Sequence, residues 1–427
     1  MRKSNISKIK LLKYSTRLFY NRTICVIALM FFTGFCNAQS KAHDSTHLKK
    51  PDTVVAQKDV VDVFRKWAHR KKKDSLDSDV KKPGVYYFVF VPSIGYAQQT
   101  GFSLWGSLNC SFYNDSVHKQ NISVIYTSIE YSQKGQLSTF LSSNIWTKGN
   151  KINLLSDIRY ELYSQETYGL GGQSKLTDAD RIYYNYFRFY QLFQKRLAHD
   201  FLAGAGYNLD YYFKIKDQNA KNNYISTPYS QYDSSTRNIA SGLAINLLYD
   251  ARRNANNPVN SNYANILFKQ NFKGLGSDNN WQSLYLDFRK YIKLPANSKN
   301  LLAFWNFNWF TFGGKPPYFT LPGTGGDTYA NSGRQYIAGR FRSKNMLYLE
   351  SEYRFTVTRN GLWGGVIFAN VQSVTNMGTN QFDNLKGGYG AGVRLKVNKK
   401  SNINLIVTYG FGAAGAHGLF FNLGEVF

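Results

Sequence analysis

"MLYLESEYRFTVT", from Met346 to Thr358, repeats with a period of two. Leu347, Leu349, Ser351, Tyr353, Phe355 and Val357 share one face, and Tyr348, Glu350, Glu352, Arg354, Thr356 and Thr358 share the other. Alternate residues of an extended chain point to opposite sides. The segment therefore reads as a strand with one mostly apolar face and one face bearing carboxylates and a guanidinium. A strand of this length can cross an outer membrane, with its apolar face to lipid and its polar face to the lumen of a barrel.

The same pattern recurs. In "NINLIVTYG" (Asn402–Gly410), Ile403, Leu405, Val407 and Tyr409 alternate with Asn402, Asn404, Ile406 and Thr408. In "GYGAGVRLKVN" (Gly388–Asn398), Tyr389, Ala391, Val393, Leu395 and Val397 oppose a face of glycines, Arg394, Lys396 and Asn398. From Val85 onward the period predicts about sixteen strands: 85–96, 101–113, 120–131, 136–147, 150–163, 182–196, 199–214, 236–250, 262–273, 280–293, 299–312, 345–358, 362–373, 386–398, 402–412 and 416–427. An even number suits a closed single-chain bacterial barrel.

The connections support this fold class. From the fifth strand on, those after odd-numbered strands are mostly long (164–181, 215–235, 313–344) and those after even-numbered strands mostly tight (197–198, 359–361, 399–401). Residues 251–261 are an exception. Outer-membrane barrels place long loops outside and short turns in the periplasm, whereas a soluble sandwich has no reason to alternate in this way. The expected fold is thus all-β: a transmembrane antiparallel β-barrel spanning 85–427, with Trp and Tyr girdles at the interfaces.

Composition agrees. The 427 residues carry a formal charge of +27, are 43% apolar, 16% aromatic and 19% charged, and contain no apolar run long enough for a membrane helix. Residues 1–38 read as a cleaved signal peptide, with a basic start, the apolar "ICVIALMFF" (Ile24–Phe32) and a small-residue cleavage site in "CNA" (Cys36–Ala38). Cys110 is then the sole cysteine of the mature chain, so no intrachain disulfide is expected. Residues 39–84 read as a periplasmic tail with a short amphipathic helix. Its stripe of Val60, Val63, Phe64 and Trp67 is expected to lie on the inner leaflet or to plug the barrel mouth; a solvated helix on a linker is the plainer reading.

Catalytic motifs are missing. There is no Gly-x-Ser-x-Gly, no His-Glu-x-x-His and no phosphate-binding glycine loop, and the six histidines show no metal-ligand spacing. His199 and His417 are the only histidines in strand regions. No enzymatic activity, metal or cofactor is expected. The basic run at His69–Lys73 suits lipid or a protein partner better than nucleic acid in an exported chain.

Further motifs carry a resemblance. "PSIGYAQQTGFSLWG" (Pro92–Gly106), "LLYDARRNANNPVNSNY" (Leu247–Tyr263), "GRQY" (Gly333–Tyr336), "EYRF" (Glu352–Phe355), "FANVQSV" (Phe368–Val374) and "FNLGEVF" (Phe421–Phe427) together resemble the barrel domain of the outer-membrane insertase superfamily, the BamA/TamA-like or bacterial surface antigen family. The match covers roughly Val85 to Phe427. Asp250, Arg252 and Asn254 stand where that family has its Tyr-Asp-x-Arg-x-Asn turn. Ser261 replaces a usual glycine. Residues 39–84 are too few for one periplasmic POTRA module, so the chain resembles a subgroup without them, from the Bacteroides/Flavobacterium group.

The resemblance implies a loop folded into the lumen. Its Arg334 would pair with the inward Glu352 and with residue 370, with Tyr336 beside it. Alternation independently places Glu350, Glu352 and Arg354 inward, and Asn370 on the next strand. Two departures stand out: Asn370 replaces the family's Asp, and Gln335 replaces its glycine. The resemblance also implies a weak lateral seam between the first and last strands, with Pro92, Gly95, Gly418, Gly424 and the terminal Phe427 in it. The implied function is assembly or translocation of proteins, or of lipids, at the outer membrane. The implied partners are membrane lipid, client barrels and other complex subunits. An accessory structural subunit, or a passive channel tuned by Arg394 and Lys396, remain as alternatives.

Overall fold

A computed structural model describes residues 56–67, 83–97, 99–115, 121–218, 227–399 and 401–427. The expected signal segment, most of the tail and the basic run after Trp67 lie outside the described residues. Sixteen antiparallel strands follow one another in sequence order in a single sheet. They run from β1 (Tyr87–Ala97) and β2 (Gly101–Phe112) to β15 (Ile403–Gly412) and β16 (His417–Leu423). All sixteen expected strands are present. The last ends at Leu423 rather than at 427.

Alternation sets the two surfaces. On β8 (Arg237–Asp250), Leu243, Ile245 and Leu247 are exposed outward while Ala240, Ala244 and Asn246 are buried inward. On β12 (Asn345–Thr356), Tyr348, Glu350, Glu352 and Arg354 are buried and Leu347, Leu349 and Tyr353 face out, partly exposed. An apolar exterior over a polar interior is the inverse of a water-soluble protein and matches a lipid-facing wall. Among the described residues no helix is long and apolar enough to cross a membrane; the strands supply the crossing.

The lumen is filled rather than open. The segment 313–344, between β11 (Leu301–Phe312) and β12, folds inward. Its Tyr336 and Phe341 join Trp305, Phe307, Trp309, Met346 and Tyr348 in one buried cluster. Tyr318, Phe319 and Leu321 of the same segment pack in a second cluster with Tyr184 and Tyr186 of β6 (Asp180–Ala198), and Tyr212 of β7 (Phe201–Asp217).

The 251–261 exception has a structural reason. Asn254 Nδ2 donates to the Ser401 carbonyl at 3.1 Å, and Asn257 Nδ2 to that of Asn402 at 3.3 Å. The turn is long because it reaches the β14–β15 connection, β14 being Lys386–Asn398.

The sheet is nearly closed. Among the described residues, the ladder runs from β1 to β16 with no pairing that joins β16 back to β1. The two edges meet through Tyr96 and Phe421, whose ring centroids are 6.4 Å apart. Helix α1 (Val60–Trp67) sits at the short-turn rim. Asp59 and Asp62 form a reciprocal cap: the Asp62 N–H donates to Asp59 Oδ1 at 2.8 Å and the Asp59 N–H to Asp62 Oδ2 at 3.3 Å. The same carboxylates hold Lys399, whose backbone N–H reaches Asp59 Oδ2 at 3.0 Å and whose Nζ reaches Asp62 Oδ2 at 2.5 Å.

Candidate functional site

The inward face of β12 and its neighbour β13 (Trp363–Val374) present Glu350, Glu352, Arg354, Phe368 and Asn370 to the lumen. The in-folded loop lowers Arg334 onto them. Its Nη2 donates to Glu350 Oε1 and to Glu352 Oε1, and its guanidinium lies 3.8 Å from the Phe368 ring centroid. Burial opposes the charge on Arg334, but the two carboxylates hold its pKa above the ordinary value. Tyr348 donates its hydroxyl proton to Glu350 Oε2 and accepts the Gly333 N–H at 3.0 Å.

Gln335 and Asn370, the two residues that depart from the resembled pattern, meet each other. Gln335 Nε2 donates to Asn370 Oδ1 at 2.6 Å, and Asn370 Nδ2 donates back to Gln335 Oε1 at 2.9 Å. A second contact carries Asn370 Nδ2 to Glu350 Oε2 at 3.3 Å. The larger residue at 335 needs room, and Gly388 provides it: a Cβ there would stand 1.9 Å from Gln335 Nε2. Tyr336 is held similarly. Its hydroxyl donates to the Gly387 carbonyl at 2.7 Å and accepts the Ala413 N–H at 2.8 Å.

From Glu352 the ion pairing continues downward. Arg354 Nε donates to Glu352 Oε2 at 2.6 Å and lies 3.4 Å from Glu425 Oε2, and Glu425 Oε1 pairs with Arg394. Three guanidiniums, on Arg334, Arg354 and Arg394, thus alternate with three carboxylates. A lone buried charge would cost several kcal/mol; here each has an opposite neighbour.

Glu425 belongs to the last four residues, and their placement corrects the expectation for the seam. Phe427 does not stand between the edge strands. It is buried inside, stacked on Trp305 at 5.3 Å, with its carbonyl accepting from Arg354 Nη2 at 3.0 Å. The chain turns in at Gly424, at φ 102°, a conformation open to glycine. Asn331 of the loop donates to the Val426 carbonyl at 2.7 Å, so loop and tail are tied. The other seam residues stay on the edges: Pro92 and Gly95 on β1, paired to β2, and Gly418 on β16, opposite Gly410.

The remaining expected sites are placed as follows. Arg252 grips Asp250 through two hydrogen bonds, at 2.8 and 2.9 Å, and stacks 4.1 Å from the Tyr263 ring, while Asn254 Oδ1 accepts the Asn256 N–H at 2.9 Å. On α1, Val60 is half-buried, and Val63, Phe64 and Trp67 are exposed rather than packed into the mouth as a plug would be. The other loop arginines have their own partners: Arg340 binds Ser174 Oγ at 2.7 Å, and Arg342 the Tyr318 carbonyl at 3.1 Å. Among the described residues no group of His, Cys, Asp or Glu could hold a metal ion. His199 bonds to Asp200 at 2.6 Å and His417 to the Tyr409 hydroxyl at 2.8 Å.

Sequence reasoning missed Glu425 and the inward tail. A signal existed. On β16, Leu419, Phe421 and Leu423 face out, so the same period would aim Glu425 at lipid. The strand must break first.

The fold defines a class: sixteen-stranded, nearly closed, all-β barrels of the outer-membrane type. Solved structures of this class superpose on the chain. BamA from Haemophilus ducreyi lacking POTRA domains 1–3 matches 79% of this chain and 70% of its own at 15% identity and a TM-score of 0.52. CdiB from Acinetobacter baumannii (80% and 60%, 14%, 0.51) and CdiB from Escherichia coli (79% and 62%, 10%, 0.50) follow. The chain spans about three fifths of the length of the two CdiB structures. At these identities the likeness is one of fold. No family model and no curated protein matches the sequence.

Proposed function

We propose that this chain is an outer-membrane barrel of the insertase superfamily, acting in the assembly or translocation of proteins at the outer membrane. The observation that carries the reading is the sheet's open edge: β16 is short, is followed by Gly424, which turns the chain inward, and makes no ladder with β1 among the described residues. An unpaired edge offers backbone donors and acceptors to another strand. The resemblance of the motifs and the BamA and CdiB folds support it. In this reading residues 1–38 direct export, the N-terminus is periplasmic, and Arg334, Gln335, Tyr336, Glu350, Glu352, Arg354 and Asn370 lock the loop. The mechanism needs no enzymatic step and no cofactor. A passive channel fits less well, since loop and tail fill the lumen and Arg394 is engaged by Glu425.

Depletion in the native cell tests this. Outer-membrane protein content should fall for at least one class of barrel, while inner-membrane proteins hold steady. An unchanged outer-membrane proteome would overturn the reading.

A further inference from the structure

The short-turn mouth of the lumen holds a cavity of about 310 Å³ beneath the ion chain. Six cations line it: Lys58, Lys293, Lys299, Arg354, Arg394 and Lys396. No carboxylate lines it among the described residues. The acidic groups around it are already engaged: Glu352 and Glu425 pair with Arg354 and Arg394, and Asp59, next to Lys58 in the chain, accepts the Asp62 and Lys399 backbone N–H groups. Lys58, Lys293 and Lys299 have no carboxylate within ion-pair distance among the described residues, and Lys396 Nζ donates to the neutral Asn402 amide.

A further detail points to an occupant. Arg354 Nη1 and Arg394 Nε are buried and lack a hydrogen-bond acceptor, although Arg354 is only 1% exposed. Buried N–H groups are ordinarily satisfied.

We propose that this vestibule binds a phosphate-bearing anion, such as a phospholipid headgroup. A concave site with excess like charge and low-dielectric walls concentrates counter-ions. Lysines supply point charges to a tetrahedral anion, and the arginines supply directed donors. Phosphate uses this geometry better than a planar, singly charged carboxylate, because its oxygens point to several walls at once. Lys58 stands two residues before the start of α1, so the rim that borders the cavity also presents the exposed Phe64 and Trp67, an apolar surface on which acyl chains can lie. Choosing a lipid as the source rests on the outer-membrane placement proposed above; the anion chemistry does not.

The test uses the full chain purified in detergent. Native mass spectrometry compares retention of dioleoyl phosphatidic acid with that of dioleoylglycerol, which lacks only the phosphate. The expected result is selective retention of the phosphatidic acid, weakened at least tenfold in K293Q/K299Q/K396Q. Millimolar inorganic phosphate should displace the lipid, and acetate should not. Tight binding of inorganic phosphate alone, with no gain from acyl chains, would support the anion site and assign it to free phosphate. Equal retention of both lipids, full binding by the triple variant, or displacement by acetate as effective as by phosphate would overturn the proposal. Should the triple variant fail to fold, the wild-type protein still decides: phosphate must protect Lys293 and Lys299 from amine acetylation, and lack of protection refutes the site. None of these readouts depends on assembly activity.

Discussion

At the residue scale, the centre of the site is the contact of Arg334 with Glu350 and Glu352, and the compensating pair Gln335–Asn370 beside it. Removing one partner of a buried ion cluster strands the others, at about 3–5 kcal/mol. Arg334→Ala should therefore lower the unfolding temperature in detergent and open the 313–344 loop to protease. The amide pair makes a sharper prediction. Asn370→Asp alone adds a third carboxylate beside Glu350, and Gln335→Gly alone leaves Asn370 half-satisfied, so each should destabilise by about 1–3 kcal/mol. Arg334 then has a further carboxylate to engage once Gln335 is gone. The double change, which installs the two residues of the resembled pattern, should cost less than the sum of the two in a double-mutant cycle. Additive costs would mean that the two departures are unrelated. Alternation made the inward position of Glu350, Glu352 and Asn370 legible, and resemblance suggested the arginine. The reciprocal amide bond was not legible, because each departure on its own reads as a weakening.

A second residue-scale prediction concerns Glu425, beyond the end of β16. Burial pushes its carboxyl up, but Arg394 and Arg354 more than offset this and hold its pKa below the usual value. A depressed folded pKa contributes stability that is present above the unfolded value, about 4.3, and is lost as pH falls through the folded one. The stability gap between wild type and Glu425→Gln should thus be wide at neutral pH and close on acidification below about 4. A gap that is constant with pH would show that Glu425 is not ionised in the folded barrel.

At the element scale, the strands were legible and the last four residues were not. A two-residue period reports that a strand exists and which face is apolar; it does not mark where pairing stops. β16 stops where continuation would carry Glu425 into lipid, and Gly424 supplies the turn. Gly424→Ala places a side chain at φ 102°, a strain of order 1–3 kcal/mol. The expected outcome is release of the tail, read as faster thiol labelling of a Val426→Cys reporter when it is combined with Gly424→Ala. Unchanged labelling would mean that glycine is not needed for the turn. The loop illustrates the same limit. Its length set it apart and the resemblance aimed Arg334 inward, but its path depends on Gly388 of β14 and Gly410 of β15, which leave space for Gln335, and on Tyr336 reaching across to Gly387 and Ala413. Those are contacts between segments distant in sequence, which no local pattern encodes. Helix α1 was visible as an amphipathic stripe, whereas its docking through Asp59 and Asp62 onto Lys399 came only from the structure.

At the scale of the whole molecule, loop, ion chain and tail form one connected interior. Arg334 is linked through Glu352, Arg354 and Glu425 to Arg394, and Asn331 ties the loop to Val426. The material that would lengthen β16 toward a full edge is engaged inside the lumen. Closing the seam by pairing is therefore opposed by everything that holds Phe427 on Trp305. The proposed function requires β1 and β16 to move further apart, so that another strand can reach their edges. The most direct measurement is a disulfide tether between Tyr96→Cys and Phe421→Cys, whose native rings already approach to 6.4 Å, in a Cys110→Ser background. The account predicts that the oxidised protein folds and reaches the membrane but loses complementation of the depleted strain, with recovery on reduction. Full complementation by a quantitatively cross-linked barrel would contradict it.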